Sequence, residues 1–149
     1  INYDMGVAKL GYARAKTSSA SNTGADVTQT NYGIGTTLAG IGLNVGFGTD
    51  KTAGANGAAD TSKIDTRDFE LSYSMDAVSM YLTNVKSEEK TGTNAGDKMT
   101  GTTIGLSYSL APGVSAFVEH ANTDYTDATS GGTNSDGRDM TQVTLSVSF

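Results

Sequence analysis

The chain has no cysteine, no tryptophan, one proline and one histidine among its 149 residues. Without cysteine there is no disulfide, no thiolate metal site and no thiol nucleophile. A solitary His120 assembles neither a zinc site nor a Ser-His-Asp triad. Glu70 and Glu119 are carboxylates of the kind that do acid-base chemistry, but nothing in the sequence brings them together, so an enzyme is not expected. Basic residues are few and scattered singly, and a net charge of −6 argues against a nucleic-acid partner, which requires clustered Lys and Arg. No apolar run approaches the roughly 20 residues of a membrane-spanning helix. Ile1, Asn2, Tyr3 and Asp4 carry neither the basic nor the apolar region of a signal peptide, so a mature form or a piece of something longer is expected.

What is present is alternation. In the closing stretch MTQVTLSVSF, Thr141, Val143, Leu145, Val147 and Phe149 share one face, and Met140, Gln142, Thr144, Ser146 and Ser148 the other. A β-strand separates alternate side chains in this way. In a soluble sandwich the apolar face would point inward; in a membrane barrel it points outward. The same period predicts strands near 7–16, 30–39, 43–50, 67–75, 78–86, 100–110, 114–124 and 140–149. No helical period is sustained anywhere.

The connections alternate in length. Gly40, Asp76 and Pro112 mark tight turns, whereas the small polar stretches around Ser18, Ala53, Thr91 and Thr129 read as loops longer than about ten residues. The expected fold is all-β: eight antiparallel up-and-down strands forming a transmembrane β-barrel region over residues 1–149. Strands of about ten residues, with short turns at one end and long loops at the other, are the outer-membrane arrangement.

Tyr3-Asp4-Met5-Gly6 leading into Val7-Ala8-Lys9-Leu10, then Tyr108-Ser109-Leu110-Ala111-Pro112-Gly113-Val114, and the alternating end at Phe149, resemble the C-terminal half of a Gram-negative general diffusion porin. Such porins have sixteen strands and roughly twice this length. The resemblance implies half of a sixteen-stranded barrel in the bacterial outer membrane, a water-filled channel for ions and small hydrophilic solutes, and a homotrimer in contact with outer-membrane lipid and lipopolysaccharide. It also implies an assembly signal at Val143, Leu145, Val147 and Phe149, read by the barrel assembly machinery. The family's constriction loop lies in the half not represented here. Two other readings stay open: a complete eight-stranded barrel with a loop-mediated adhesion or defence role, and a soluble β-sandwich binding module.

On the barrel reading, parity selects Lys9, Asn44, Asp68, Glu70, Glu119 and Gln142 as pore-lining, because a charge facing lipid costs roughly 2–4 kcal/mol at the midplane. They tune ion selectivity or are simply solvated wall. Arg14 and Arg67 fall on the apolar parity near loop ends, where they reach lipopolysaccharide phosphates or mark the membrane boundary. Tyr12, Tyr32, Phe47 and Phe69 towards the loops, and Tyr108 and Phe149 towards the turns, suit two aromatic girdles. No cofactor is expected. A loop-bound Ca²⁺ at Asp124, Asp127, Asp136 and Asp139, with Asn134, is the one candidate, and its spacing is not that of an EF-hand.

Overall fold

The computed structural model describes residues 1–18, 25–54, 60–128 and 134–148. They form nine strands: β1 Asn2–Asp4, β2 Lys9–Thr17, β3 Val27–Leu38, β4 Ile41–Thr52, β5 Ser62–Met75, β6 Val78–Thr91, β7 Lys98–Ala111, β8 Val114–Asp127 and β9 Asn134–Val147. Each strand pairs antiparallel with its chain neighbours in one up-and-down sheet. The eight expected strands are present, and the residues before Met5 add a short ninth. The sheet is open, with β1 and β9 at its two edges.

Strand ends extend beyond the sequence expectation. The polar stretches 62–66, 87–91 and 134–139, read as loop, lie within β5, β6 and β9. Side-chain alternation fades there because, Ile64 apart, both faces are polar, yet the backbone ladder continues: Asp65 pairs with Glu88, and Asp136 with Tyr125. A strand of 14 residues is about 46 Å long.

Register places the apolar residues on one continuous face. Leu43, Leu71, Leu82 and Ile104 form one cross-strand row. Another runs Leu38, Ile41, Tyr73, Met80, Leu106, Val118, Val143. This second row closes the β3–β4 hairpin, yet on β9 it is the first apolar row after Asp139 and Thr141. The row of Tyr32 and Phe47 continues as Arg67, Lys86, Thr100 and Asp124. The apolar band therefore crosses the cross-strand rows obliquely.

No large apolar side chain among the described residues is buried: Val143 is 78% exposed, Leu145 66% and Ile104 55%. Fully covering such a side chain contributes about 1.5–3 kcal/mol. The sheet thus has an apolar face that the described residues do not cover.

The tight turns share one device. Ala39 and Gly40 both have positive φ, 50° and 80°, the pattern of a type I′ hairpin turn. The Gly40 carbonyl then accepts from Ser74 N–H at 2.9 Å; the Ala77 carbonyl accepts from Ser109 N–H and the Gly113 carbonyl from Ser148 N–H, both at 2.8 Å. Each hairpin is stitched to the strand that follows it. A Cβ on Gly40 would lie 2.5 Å from the Ser74 carbonyl oxygen. Gly40→Ala is therefore expected to destabilise the folded sheet by about 1–3 kcal/mol, read as a lower urea midpoint of the lipid-reconstituted protein, with Ala39→Gly neutral or stabilising.

Candidate functional site

The face opposite the apolar band is built of Gly, Ser, Thr and a few charges, and all six residues selected by parity lie on it. Asn44 is opposite Glu70 and Gly35, Gly35 is opposite Lys9, Asp68 is opposite Gly46, and Glu119 is opposite Gln142. Asn44 Nδ2 donates to Glu70 Oε1 at 3.1 Å, Gln142 Nε2 to Thr144 Oγ1 at 3.1 Å, and Lys9 Nζ lies 3.9 Å from Asp4. Asp68, Glu70 and Glu119 form no ion pair with a described residue.

The glycines of this face explain how it stays shallow. The Asp68 carboxylate occupies the space a Cβ would take on Gly46, the Asn44 amide does so on Gly35, and the Tyr81 ring on Gly105. Tyr81 lies across Gly105 and its hydroxyl donates to Glu119 on the next strand. Longer side chains lie along the wall over a missing Cβ instead of projecting from it. Towards the loops, Asp97, the one buried charged residue among those described, accepts from Tyr125 Oη at 2.6 Å and from Ala128 N–H at 2.8 Å. This ties the β6–β7 connection to the end of β8.

On the apolar face, the loop end carries a basic cluster that sequence reasoning missed. Lys63, Arg67, Lys86, Lys90 and Lys98 line one open groove of about 620 Å³ over β5, β6 and β7, together with Asp65 and Glu88. Lys63 pairs with Asp65 at 2.9 Å and Lys90 with Glu88 at 2.7 Å. Arg67, Lys86 and Lys98 have no ion pair among the described residues. Tyr32 and Phe47 border the groove with stacked rings, 5.3 Å between centroids. Half of the chain's ten basic residues, scattered singly in sequence, thus line one groove, and Lys51 stands opposite Lys63 on the same face. The available signal was the two-residue turn at Asp76–Ala77, which sets Arg67 opposite Lys86. Arg14 lies outside this cluster, opposite Thr30 on β3.

The candidate cation ligands are not brought together. Asp124 is opposite Gly137 and Asp139 opposite Asn122, on the apolar parity; Asp136 is opposite Tyr125 and Asp127 opposite Asn134, on the other. Asp139 instead accepts from Asn122 Nδ2 at 2.6 Å. Among the described residues, no group of three or more His, Cys, Asp or Glu is placed to hold a metal ion. Val143, Leu145 and Val147 line up on the apolar face of the edge strand β9, while Phe149 lies outside the described residues. His120 is on the same face, with Nδ1 2.9 Å from Thr141 Oγ1. No family model matches the chain, and no curated protein or solved structure matches it either.

Proposed function

We propose that this sheet is part of the wall of an outer-membrane diffusion channel, its apolar band against lipid and its Gly/Ser/Thr face against water. The observation that carries this reading is the oblique apolar band. A soluble sandwich buries its apolar faces between two sheets. The described residues supply one sheet and no second layer.

A wider barrel is favoured over a small closed one for two reasons. Strands β1 and β9 run in the same direction, so joining them would make a parallel seam, whereas bacterial single-chain barrels have an even number of antiparallel strands. Small eight-stranded barrels also fill their interior with side chains, and here the inner face is glycine-rich and shallow. Further strands, from the same polypeptide as in the sixteen-stranded porins it resembles, would complete the wall. Solutes then cross passively, sorted by width and by fixed charge. Trimer formation and recognition of the Val143–Phe149 end by the assembly machinery belong to the same proposal.

The test is to extract the native protein in detergent, measure its intact mass and record it in a planar bilayer. A polypeptide well above 15.3 kDa with stepwise, ohmic conductance is expected. A mass near that value with no conductance would leave a small loop-displaying barrel instead.

A further inference from the structure

We infer that the polar face carries a subsite for a neutral pyranose sugar at Tyr81 and Phe117, towards the turn ends of β6 and β8. The inference rests on the reading that this face lines water. Among the described aromatic residues, three stand on the polar face. Tyr81 is opposite Ser72 and Gly105, Phe117 is opposite Ser107 and Thr144, and Tyr125 lies at the loop end, where its hydroxyl donates to Asp97. The other described aromatics share the parity of the apolar band. Tyr81 and Phe117 have no such account, because a wall that only has to be wet and shallow is already supplied by the Gly, Ser and Thr around them.

Both rings line one cavity of about 490 Å³, within the range of roughly 300–1,000 Å³ typical of small-molecule sites. Strand β7 runs between them and presents Gly105 and Ser107 there, so nothing larger than a serine separates the rings. Strand spacing and residue rise set their Cα atoms about 10 Å apart across the strands and about 7 Å apart along them. Tyr81 is pinned as a platform: its ring takes the Cβ space of Gly105, and its hydroxyl donates to Glu119 on β8. The chemistry around the rings then selects the ligand. The rings are an apolar floor, and Thr37, Ser72 and Ser107 border it with hydroxyls, each able to donate once and accept twice. A pyranose has the matching form, with polarised C–H bonds on its faces, which an aromatic ring attracts, and hydroxyls around its edge that both donate and accept. An ion matches less well. In the two rows that hold Tyr81 and Phe117, the described residues include no cation and one carboxylate, Glu119, which already accepts from Tyr81.

The probe is cellobiose, two pyranose rings with equatorial hydroxyls, added to the full native protein in deuterated detergent and followed by saturation-transfer NMR. The comparison is with Phe117→Leu and Tyr81→Leu, which keep apolar bulk but remove a ring, and with Tyr81→Phe, which keeps the ring. Cellobiose affinity should fall roughly fivefold in each leucine variant and less in Tyr81→Phe. Sorbitol, which bears similar hydroxyls on an open chain, should show no binding that depends on the rings. Equal cellobiose binding by the native protein and both leucine variants overturns the inference. So does a Tyr81→Phe loss as large as that of Tyr81→Leu, which would assign binding to the hydroxyl. Ring-dependent binding of benzyltrimethylammonium without binding of cellobiose also overturns it, in favour of an organic-cation site. Single-channel recording of the same preparations keeps two failures distinct. A conducting protein whose sugar binding ignores both rings loses only the subsite, whereas ring-dependent sugar binding by a protein that never conducts loses only the channel.

Discussion

Leu82→Arg is expected to cost about 2–4 kcal/mol of folding free energy in a lipid bilayer, whereas Thr83→Arg, one residue along, should change stability by less than about 1 kcal/mol. The two positions differ only in the face they present. Leu82 sits between Leu71 and Ile104 in the middle of the apolar band, and Thr83 sits between Glu70 and Thr103 on the polar face. If the apolar band meets hydrocarbon, an arginine at 82 must be desolvated or must distort the bilayer, while one at 83 stays in water next to a carboxylate. Urea-induced unfolding of lipid-reconstituted protein would measure both. The contrast itself is the result, because a residue-type effect on strand propensity would act on both sites alike. Equal destabilisation at 82 and 83, or the reverse order, would remove the lipid-facing assignment and the channel proposal with it.

The sequence made that assignment possible but left other parts hidden, and the reason is physical. Alternation is visible only where the two faces differ, as in Phe69–Met75 or Thr141–Val147, so the strand cores and the tight turns at Gly40, Asp76 and Pro112 were legible. Beyond those cores the strands continue on the backbone ladder and on polar side-chain bonds such as Thr49 to Asp65 and Ser62 to Glu89. Ser62–Thr66, with the single apolar Ile64, and residues 87–91 carry no apolar alternation, so they read as loop although Asp65 and Glu88 are ladder partners. The same masking made Asp136 and Asp139 look like loop ligands, when pairing in β9 sends them to opposite faces. The polar-face residues were identified by parity, a local property. The basic groove spans positions 63 to 98 and depends on which residues stand opposite one another across two strand pairs, which composition does not show. Closure was not legible either: nothing within these residues pairs β9 with a tenth strand, and the odd strand count makes that missing neighbour part of the functional question.

If the proposed channel exists, neutralising Asp68, Glu70 and Glu119 together, as Asp68→Asn, Glu70→Gln and Glu119→Gln, is expected to abolish or invert a preference for cations. On the polar face these three carboxylates occupy three successive rows, so they span about 14 Å along the strands and about 14 Å across them from β5 to β8. No described cation pairs with any of them, and the two basic residues in those rows, Lys9 and Arg138, lie 3.9 Å from Asp4 and 3.8 Å from Asp136. The central wall therefore carries an excess of negative charge, which raises the local concentration of cations and lowers that of anions. Because Tyr81 holds Glu119 and Asn44 holds Glu70, the charges stay against the wall. They act through the field, and the width of the channel should change little. Reversal potentials across a KCl gradient at about 0.1 M, where the Debye length is about 10 Å, would show native K⁺ preference and its loss in the triple variant. At about 1 M the screening length drops to about 3 Å, and the two proteins should become nearly indistinguishable. Unchanged conductance at high salt combined with a shifted reversal potential at low salt separates a wall-charge effect from a misfolded barrel. A native channel that prefers anions at low salt would mean that the unseen part of the wall, and not this face, sets the selectivity.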